Sequence, residues 1–404
     1  MQILIRQKTR IAAKVLVLVI ILLLLILFRQ YLRNIFIYPP LIGFQTVGYS
    51  SYEYISQDRL EKYLIYEEPR KLLIQIYYPI YPTLCGGKDI HDFTYQLEKV
   101  LANQMGEENA LQLLDSPNTF KLIRNINRLP VCVDARIKSG KHPLLIYHHG
   151  LQMGPSLNDS LLVKLAAKGF FVISIGHTYD GFFTFPDDTT SGSVPEEERS
   201  GYLPFSDYAA TYPLKLSIFT GDQPVYLKSS LYRELLRADT NYSGRVNYWM
   251  EDTYDVLEND IKRKFSEYIN FEKINFIGHS LGGAVAGALC ATEENCKSAV
   301  DIDGRPYGDW ITVIDSDKFV YISRDDNDQE LVLIKYLVGP DLNMVVIPNS
   351  SHYVLTDIVR PSSMIFDHFY IIGSAGGIQS NNYHLNPINR MEKVAIEFVL
   401  SRNR

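Results

Sequence analysis

The sequence predicts an α/β fold in which a mostly parallel central sheet carries helices on both faces. Two observations carry that expectation. From Pro143 onward, short apolar runs of strand length alternate with runs of helical period. Within that alternation, the segment FEKINFIGHSLGGAVAGALCA over 271–291 reads as a strand, a tight turn and a helix. The turn is Gly278, His279, Ser280, Leu281 and Gly282, a G-x-S-x-G pattern. A strand-to-helix turn this sharp crowds the residues beside its apex, so glycine at both ends lets the backbone close. The apical serine is then held at the carboxyl end of a strand above a helix amino terminus, where an attacking oxygen and the oxyanion it creates are favoured. An ordinary glycine-rich turn is the plainer alternative.

A chain of 404 residues with 46% apolar content can bury a large core. Net charge is −6, and no basic stripe lies outside the amino terminus, which sets nucleic-acid binding aside. The cysteines, Cys85, Cys132, Cys290 and Cys296, lack the C-x-x-C spacing of a metal site. Two disulfides in any of three pairings and buried free thiols both fit, so the cysteines leave the compartment open.

Taken in order, Arg6, Lys8, Arg10 and Lys14 precede an uninterrupted apolar run over 15–28. With Ile11 to Ala13 included, the span is about 27 Å of helix, enough for a thin bilayer. Residues 29–33 (RQYLR) offer no small residues for signal cleavage. The expectation is a basic cytoplasmic tail over 1–10 and a single transmembrane signal-anchor over 11–28. The basic flank places the catalytic part on the non-cytoplasmic side. Cleavage of the segment would instead give a secreted protein. Residues 29–68 read as a linker leading into a catalytic domain over 69–404.

A strand over 71–78 is expected to stop at Pro79 and Pro82. Residues 83–138 read as an insertion near the mouth of the site, with helical runs near 95–105 and 110–114. The regular alternation follows: a strand at 144–148, a helix at 158–168 closed by Gly169, and a strand at 170–176. Residues 177–244, rich in Phe, Tyr, Pro and Asp, are too long for a simple loop and read as a cap. A helix at 247–268 then leads to the serine strand. Strands at 299–303, 319–323 and 344–348, a helix at 329–338 and an amphipathic closing helix at 386–402 complete the domain.

A serine hydroxyl is a weak nucleophile until a base takes its proton, and the base works best when a carboxylate orients it. His352 lies just past the last strand, where a loop can carry it over Ser280; His368 and His384 compete for the role. For the acid, Asp303 ends the strand after the serine helix, while Asp325 and Asp326 end the next one. Spacing does not choose between them, and helix capping accounts for either. The amides of Leu151, in His148-His149-Gly150-Leu151, and of Leu281, directly after the serine, are the candidate oxyanion donors. His148 and His149 are expected to be structural.

With these residues assembled, the chain resembles the secreted, calcium-independent platelet-activating factor acetylhydrolases from about Leu72 to the carboxyl terminus. Gln75-Ile76-Tyr77-Tyr78-Pro79 is similar to that family's early strand end. The segments 143–151, 165–177 and 276–284 are similar to its later motifs, as is Asn349-Ser350-Ser351-His352 with Asp357. The resemblance implies an α/β-hydrolase fold, the triad Ser280, Asp303 and His352, and no metal or cofactor. It implies hydrolysis of short or oxidised acyl esters at the second glycerol position of phospholipids. His148, Leu281 and Gly304-Arg305 depart from the family pattern on the side that faces substrate. A general carboxylesterase and an inactive, membrane-tethered interaction module are the rival readings. The expected partners are an ester substrate and a bilayer.

Overall fold

The computed structural model describes residues 45–85, 88–89, 99–100, 102–103, 128–201, 218, 222–325, 328–339, 341–352, 355–357 and 386–404. The expected anchor over 11–28, most of the segment over 86–127, Asp326, His368 and His384 lie outside them. None of the helices among the described residues is long and apolar enough to cross a membrane.

Nine strands form the central sheet: β1 (Gln45–Leu60), β2 (Pro69–Thr83), β3 (Cys132–Val133), β4 (His142–His148), β5 (Phe171–His177), β6 (Ile269–His279), β7 (Cys296–Ile302), β8 (Phe319–Arg324) and β9 (Asn343–Ile347). Their order across the sheet is β9-β8-β7-β6-β4-β5-β2-β1-β3. Only β2 runs against its neighbours; the other pairings are parallel. The helices are α1 (Asp159–Ala167), α2 (Val225–Ala238), α3 (Thr240–Val256), α4 (Leu281–Thr292), α5 (Asp328–Val338) and α6 (Asn386–Arg402).

Because side chains alternate along a strand, a sheet covered on both faces needs apolar residues at nearly every position. Strand β4 meets that demand. Its Leu144 and Ile146 join one core with Trp249 of α3 and Ala284 and Leu289 of α4. Leu145 and Tyr147 join the other, with Leu161 and Leu165 of α1 and Met391 and Val399 of α6. Burying a Leu-sized side chain contributes about 1.5–3 kcal/mol, so these two layers are the main source of stability.

Two sequence expectations need correction. Residues 45–60 are not a linker but the long strand β1, paired with β2 along most of its length. Its buried positions include tyrosines, which look polar in a sequence. Tyr54 is buried with its hydroxyl donated to Asp255, and Tyr52 donates to Asp260. Strand β2 also runs through Pro79 and Pro82 to Thr83. Its pairing to β5 ends at Tyr77, so beyond that point only the β1 edge is paired and a missing N–H is tolerated.

Both disulfides form, Cys85 with Cys132 and Cys290 with Cys296, so no cysteine is free. The first holds β3 to the end of β2. The second ties the end of α4 to the start of β7, the two elements whose opposite ends carry Ser280 and Asp303. In the cap region, α2 and the start of α3 are regular helix, and the helix before β6 begins at Thr240 and passes through a π-helical turn at Leu257–Ile261.

Candidate active site

Strand β6 ends at His279 and α4 begins at Leu281, leaving Ser280 alone between them at φ 56°, ψ −124°. A non-glycine residue with positive φ is strained, and it persists only where its surroundings enforce it. Here the enforcement is backbone crowding. A Cβ at Gly278 would lie 1.9 Å from the Gly282 carbonyl oxygen, and one at Gly282 would lie 2.1 Å from that of His148. The Ser280 amide donates to Ile302 of β7 at 2.9 Å, which fixes the turn to the neighbouring strand.

The acid and the base meet next to this turn. Asp303 follows β7 directly, at φ 54°, and is 7% exposed. His352 Nδ1 donates to Asp303 Oδ2 at 2.6 Å, so Nε2 is the proton-accepting nitrogen. Arg324, at the end of β8, donates through its Nη1 to the same oxygen at 3.1 Å. Burial alone would raise the Asp303 carboxyl. The His352 hydrogen bond, with the charges of His352 and Arg324, outweighs burial and holds it below the usual carboxylate range.

The residue before the serine is tied to the same histidine. His279 Nε2 donates to the His352 carbonyl at 3.0 Å, and the two rings lie 4.6 Å apart. Burial, with the His352 charge beside it, pushes His279 down to about 3. Asp325, the rival acid, serves the loop instead: its carboxylate accepts from the amides of Asn349 at 2.5 Å and Ser350 at 3.2 Å. That loop carries His352.

Across the turn, a Cβ at Gly150 would lie 3.2 Å from Ser280 Cβ, so the loop after β4 runs along the serine. Leu281 opens α4, where the first N–H groups lack intrahelical acceptors. Among the described residues neither the Leu151 nor the Leu281 amide has a protein acceptor.

Beneath that loop lies a buried polar chain the sequence did not reveal. His148 Nδ1 donates to His177 Nε2 at 3.1 Å, and His177 Nδ1 donates to Asp252 at 2.8 Å. Arg70 grips Asp252 through Nε at 3.1 Å and Nη2 at 2.8 Å and also pairs with Glu61. His149 Nε2 accepts from the His177 amide at 3.1 Å, and Trp249 stacks on His177 at 4.0 Å. Burial pushes His148, His177 and His149 down, His149 to about 3. The Asp252 carboxyl, which burial alone would raise, is held well below its ordinary value by the Arg70 charge and its hydrogen bonds. Asp301 goes the other way. Burial raises it, its Oδ1 accepts from the Gly304 amide at 2.8 Å, and among the described residues its Oδ2 has no partner.

Two aromatics of the cap region pack inward. Phe183 and Phe185 are buried against Leu73, their rings 5.4 Å apart, and Phe182 is half-buried. The strand alternation there is only two residues long, too short to show in a pattern.

Comparison with known proteins agrees with the fold. A family model described as the alpha/beta hydrolase fold matches residues 143–318, a stretch that holds Leu151, Ser280 and Asp303. Platelet-activating factor acetylhydrolase of Bos taurus is 22% identical over 274 residues, covering 62% of this chain and 56% of that protein. The Gallus gallus protein of the same name is 24% identical over 259 residues, covering 60% and 59%. The chain thus spans little more than half the length of these relatives. A solved ferulic acid esterase from Streptomyces cinnamoneus superposes with a TM-score of 0.59 at 15% identity, covering 88% of each chain.

The four depressed histidines give a stability prediction. His148, His149, His177 and His279 stay neutral when folded, whereas an unfolded histidine protonates near pH 6.5. Their contribution is complete above about pH 6.5 and is lost as pH falls towards about 3. Urea unfolding at pH 7, 6 and 5 should show stability falling before ordinary carboxylates titrate. A flat profile down to pH 5 would contradict neutral burial. On all of these observations, the chain has the α/β-hydrolase fold and is similar in sequence to platelet-activating factor acetylhydrolases.

Proposed function

We propose that this protein is a serine ester hydrolase acting through an acyl-enzyme. The observation that carries the reading is the strained Ser280 turn beside the Asp303–His352 pair. Ser280 Oγ attacks the ester carbonyl carbon as its proton passes to His352 Nε2. Asp303 keeps the imidazole in the tautomer that accepts this proton and offsets the charge it gains. The amides of Leu151 and Leu281 hold the developing oxyanion, with the α4 dipole adding to the field. Collapse expels the alcohol, which takes the proton back from His352. A water molecule then repeats the sequence on the acyl-enzyme and releases the acid.

The substrate class we propose is a phospholipid with a short or oxidised acyl chain at the second glycerol position. The relatives named above and the sequence motifs support it. A general carboxylesterase is the second reading, favoured by the fold likeness to a ferulic acid esterase. We further propose that the apolar segment over 11–28 anchors the catalytic domain on the non-cytoplasmic side of a membrane. The two disulfides fit an oxidising compartment.

Ser280→Ala should lower turnover by about 10⁶-fold. Asp303→Asn should lower it by about 10⁴-fold, by spoiling the tautomer. Asp325→Asn loosens only the loop and should cost at most about 10²-fold. Steady-state kinetics on correctly folded variants checks the ranking, and a benign Asp303→Asn beside a crippling Asp325→Asn would reverse the acid assignment.

For substrate, one phospholipid headgroup assayed with acetyl, butanoyl, hexanoyl and palmitoyl chains should show activity falling with length. Activity rising to palmitoyl would indicate a lipase, and activity confined to soluble aryl esters a carboxylesterase. For topology, protease added to intact cells should digest the domain. Full protection there would count against the anchored orientation.

A further inference from the structure

Asp301 interrupts the buried run of Ala299, Val300 and Ile302 near the end of β7, and none of its surface is exposed. An acidic side chain is rarely buried this completely unless it is paired, because losing its water is costly. It sits in the middle of the sheet, opposite Gly278 of β6 and Tyr321 of β8. Burial pushes its carboxyl well above the ordinary value; the Gly304 amide pulls the other way, and the Asp303 charge adds to the rise. A group that breaks the local pattern at such a cost marks a functional or strained place in a fold.

The strained place is the turn that follows. Asp303, two residues on, holds φ 54°, and a non-glycine residue keeps that conformation only where its neighbours enforce it. The Asp303 amide donates to the Ile322 carbonyl of β8 at 2.7 Å. The Gly304 amide donates to Asp301 Oδ1 at 2.8 Å. These two amides belong to the planar peptide groups on either side of Asp303, so together they fix both of its backbone angles. The Asp301 carboxyl also packs against the serine side. A Cβ at Gly283 of α4 would lie 2.0 Å from Asp301 Oδ1. One at Gly304 would lie 2.5 Å from the same oxygen and 2.2 Å from the Ser280 carbonyl oxygen. The carboxyl thus fills the space between the first turn of α4 and the turn that carries Asp303.

We infer that Asp301 is a positioning residue for the triad acid: by accepting the Gly304 amide, its side chain holds the turn after β7 in the conformation from which Asp303 reaches His352. It touches no reacting atom. The inference rests on the ester-hydrolase reading and adds to it a residue on which the triad geometry depends.

Two variants of similar shape test it. Asp301→Asn keeps the acceptor oxygen, and Asp301→Leu removes it. In Asp301→Leu, kcat on 4-nitrophenyl acetate should fall about 10- to 100-fold with KM unchanged, because the triad is misplaced while substrate binding is not. Asp301→Asn should turn over at close to the wild-type rate. The His352 Nδ1 proton, hydrogen-bonded to Asp303, should give a far-downfield proton NMR resonance in wild-type protein and in Asp301→Asn. In Asp301→Leu that resonance should be lost or shifted. A role in stability alone would lower the melting temperature of Asp301→Leu and leave its kcat and its resonance as in wild type. That result, or an Asp301→Asn variant as crippled as Asp301→Leu, would overturn the inference. If Asp301→Leu fails to fold, Asp301→Ala takes its place. If that fails too, Asp301→Asn decides: keeping the resonance sustains the inference, and losing it in a folded protein refutes it. If wild-type protein hydrolyses no ester, the esterase reading fails separately, and the resonance, which needs no substrate, still tests the positioning.

Discussion

The site depends on one close backbone approach. Strand β6, helix α4 and the loop after β4 meet where Gly278 faces the Gly282 carbonyl and Gly282 faces the carbonyl of His148. No side chain fits between them. That contact forces Ser280 into its positive-φ conformation and lays the Gly150 backbone along it. Everything chemical in the site is positioned relative to this crossing. The two parallel neighbours of β6 supply its other parts. Strand β4 brings the candidate oxyanion loop, and β7 brings Asp303.

A buried ionic chain supports the loop from below. Glu61 and Arg70, from β1–β2, meet Asp252 of α3, and Asp252 reaches His177 and through it His148. Desolvating so many charges is costly, and it is tolerated because each member is held by several partners. Removing one partner from such a set typically costs about 3–5 kcal/mol, because an uncompensated charge is left behind. The arrangement couples the amino-terminal antiparallel arm of the sheet to the loop beside Ser280. It also explains why β1 belongs to the folded domain although its sequence reads like a connector.

Much of the fold was legible because β4, β5, β6 and β7 are near-continuous apolar runs separated by helical spacing. The serine turn was legible because glycine is obligatory on both sides of it. Strand β1 was hidden because its buried Tyr54 and half-buried Tyr52 satisfy their hydroxyls on acids some two hundred residues away, Asp255 and Asp260. The choice between Asp303 and Asp325 was hidden for a related reason. Both follow parallel neighbouring strands, and only the path of the 349–352 loop decides which carboxylate faces the His352 ring and which holds its backbone. The disulfide pairing was likewise unreadable, since three pairings fit the spacing and only the sheet order brings Cys85 to Cys132 and α4 to β7. The depressed histidines leave no sequence signal at all, because neutrality comes from burial.

The central claim is that Ser280 is a nucleophile made reactive by His352. It is tested most directly by treating the folded protein with a fluorophosphonate and mapping the adduct by mass spectrometry. The account predicts one stoichiometric adduct on Ser280, formed much more slowly in His352→Ala. An intact wild-type protein that stays unlabelled, or label on another residue at an undiminished rate in His352→Ala, would contradict it.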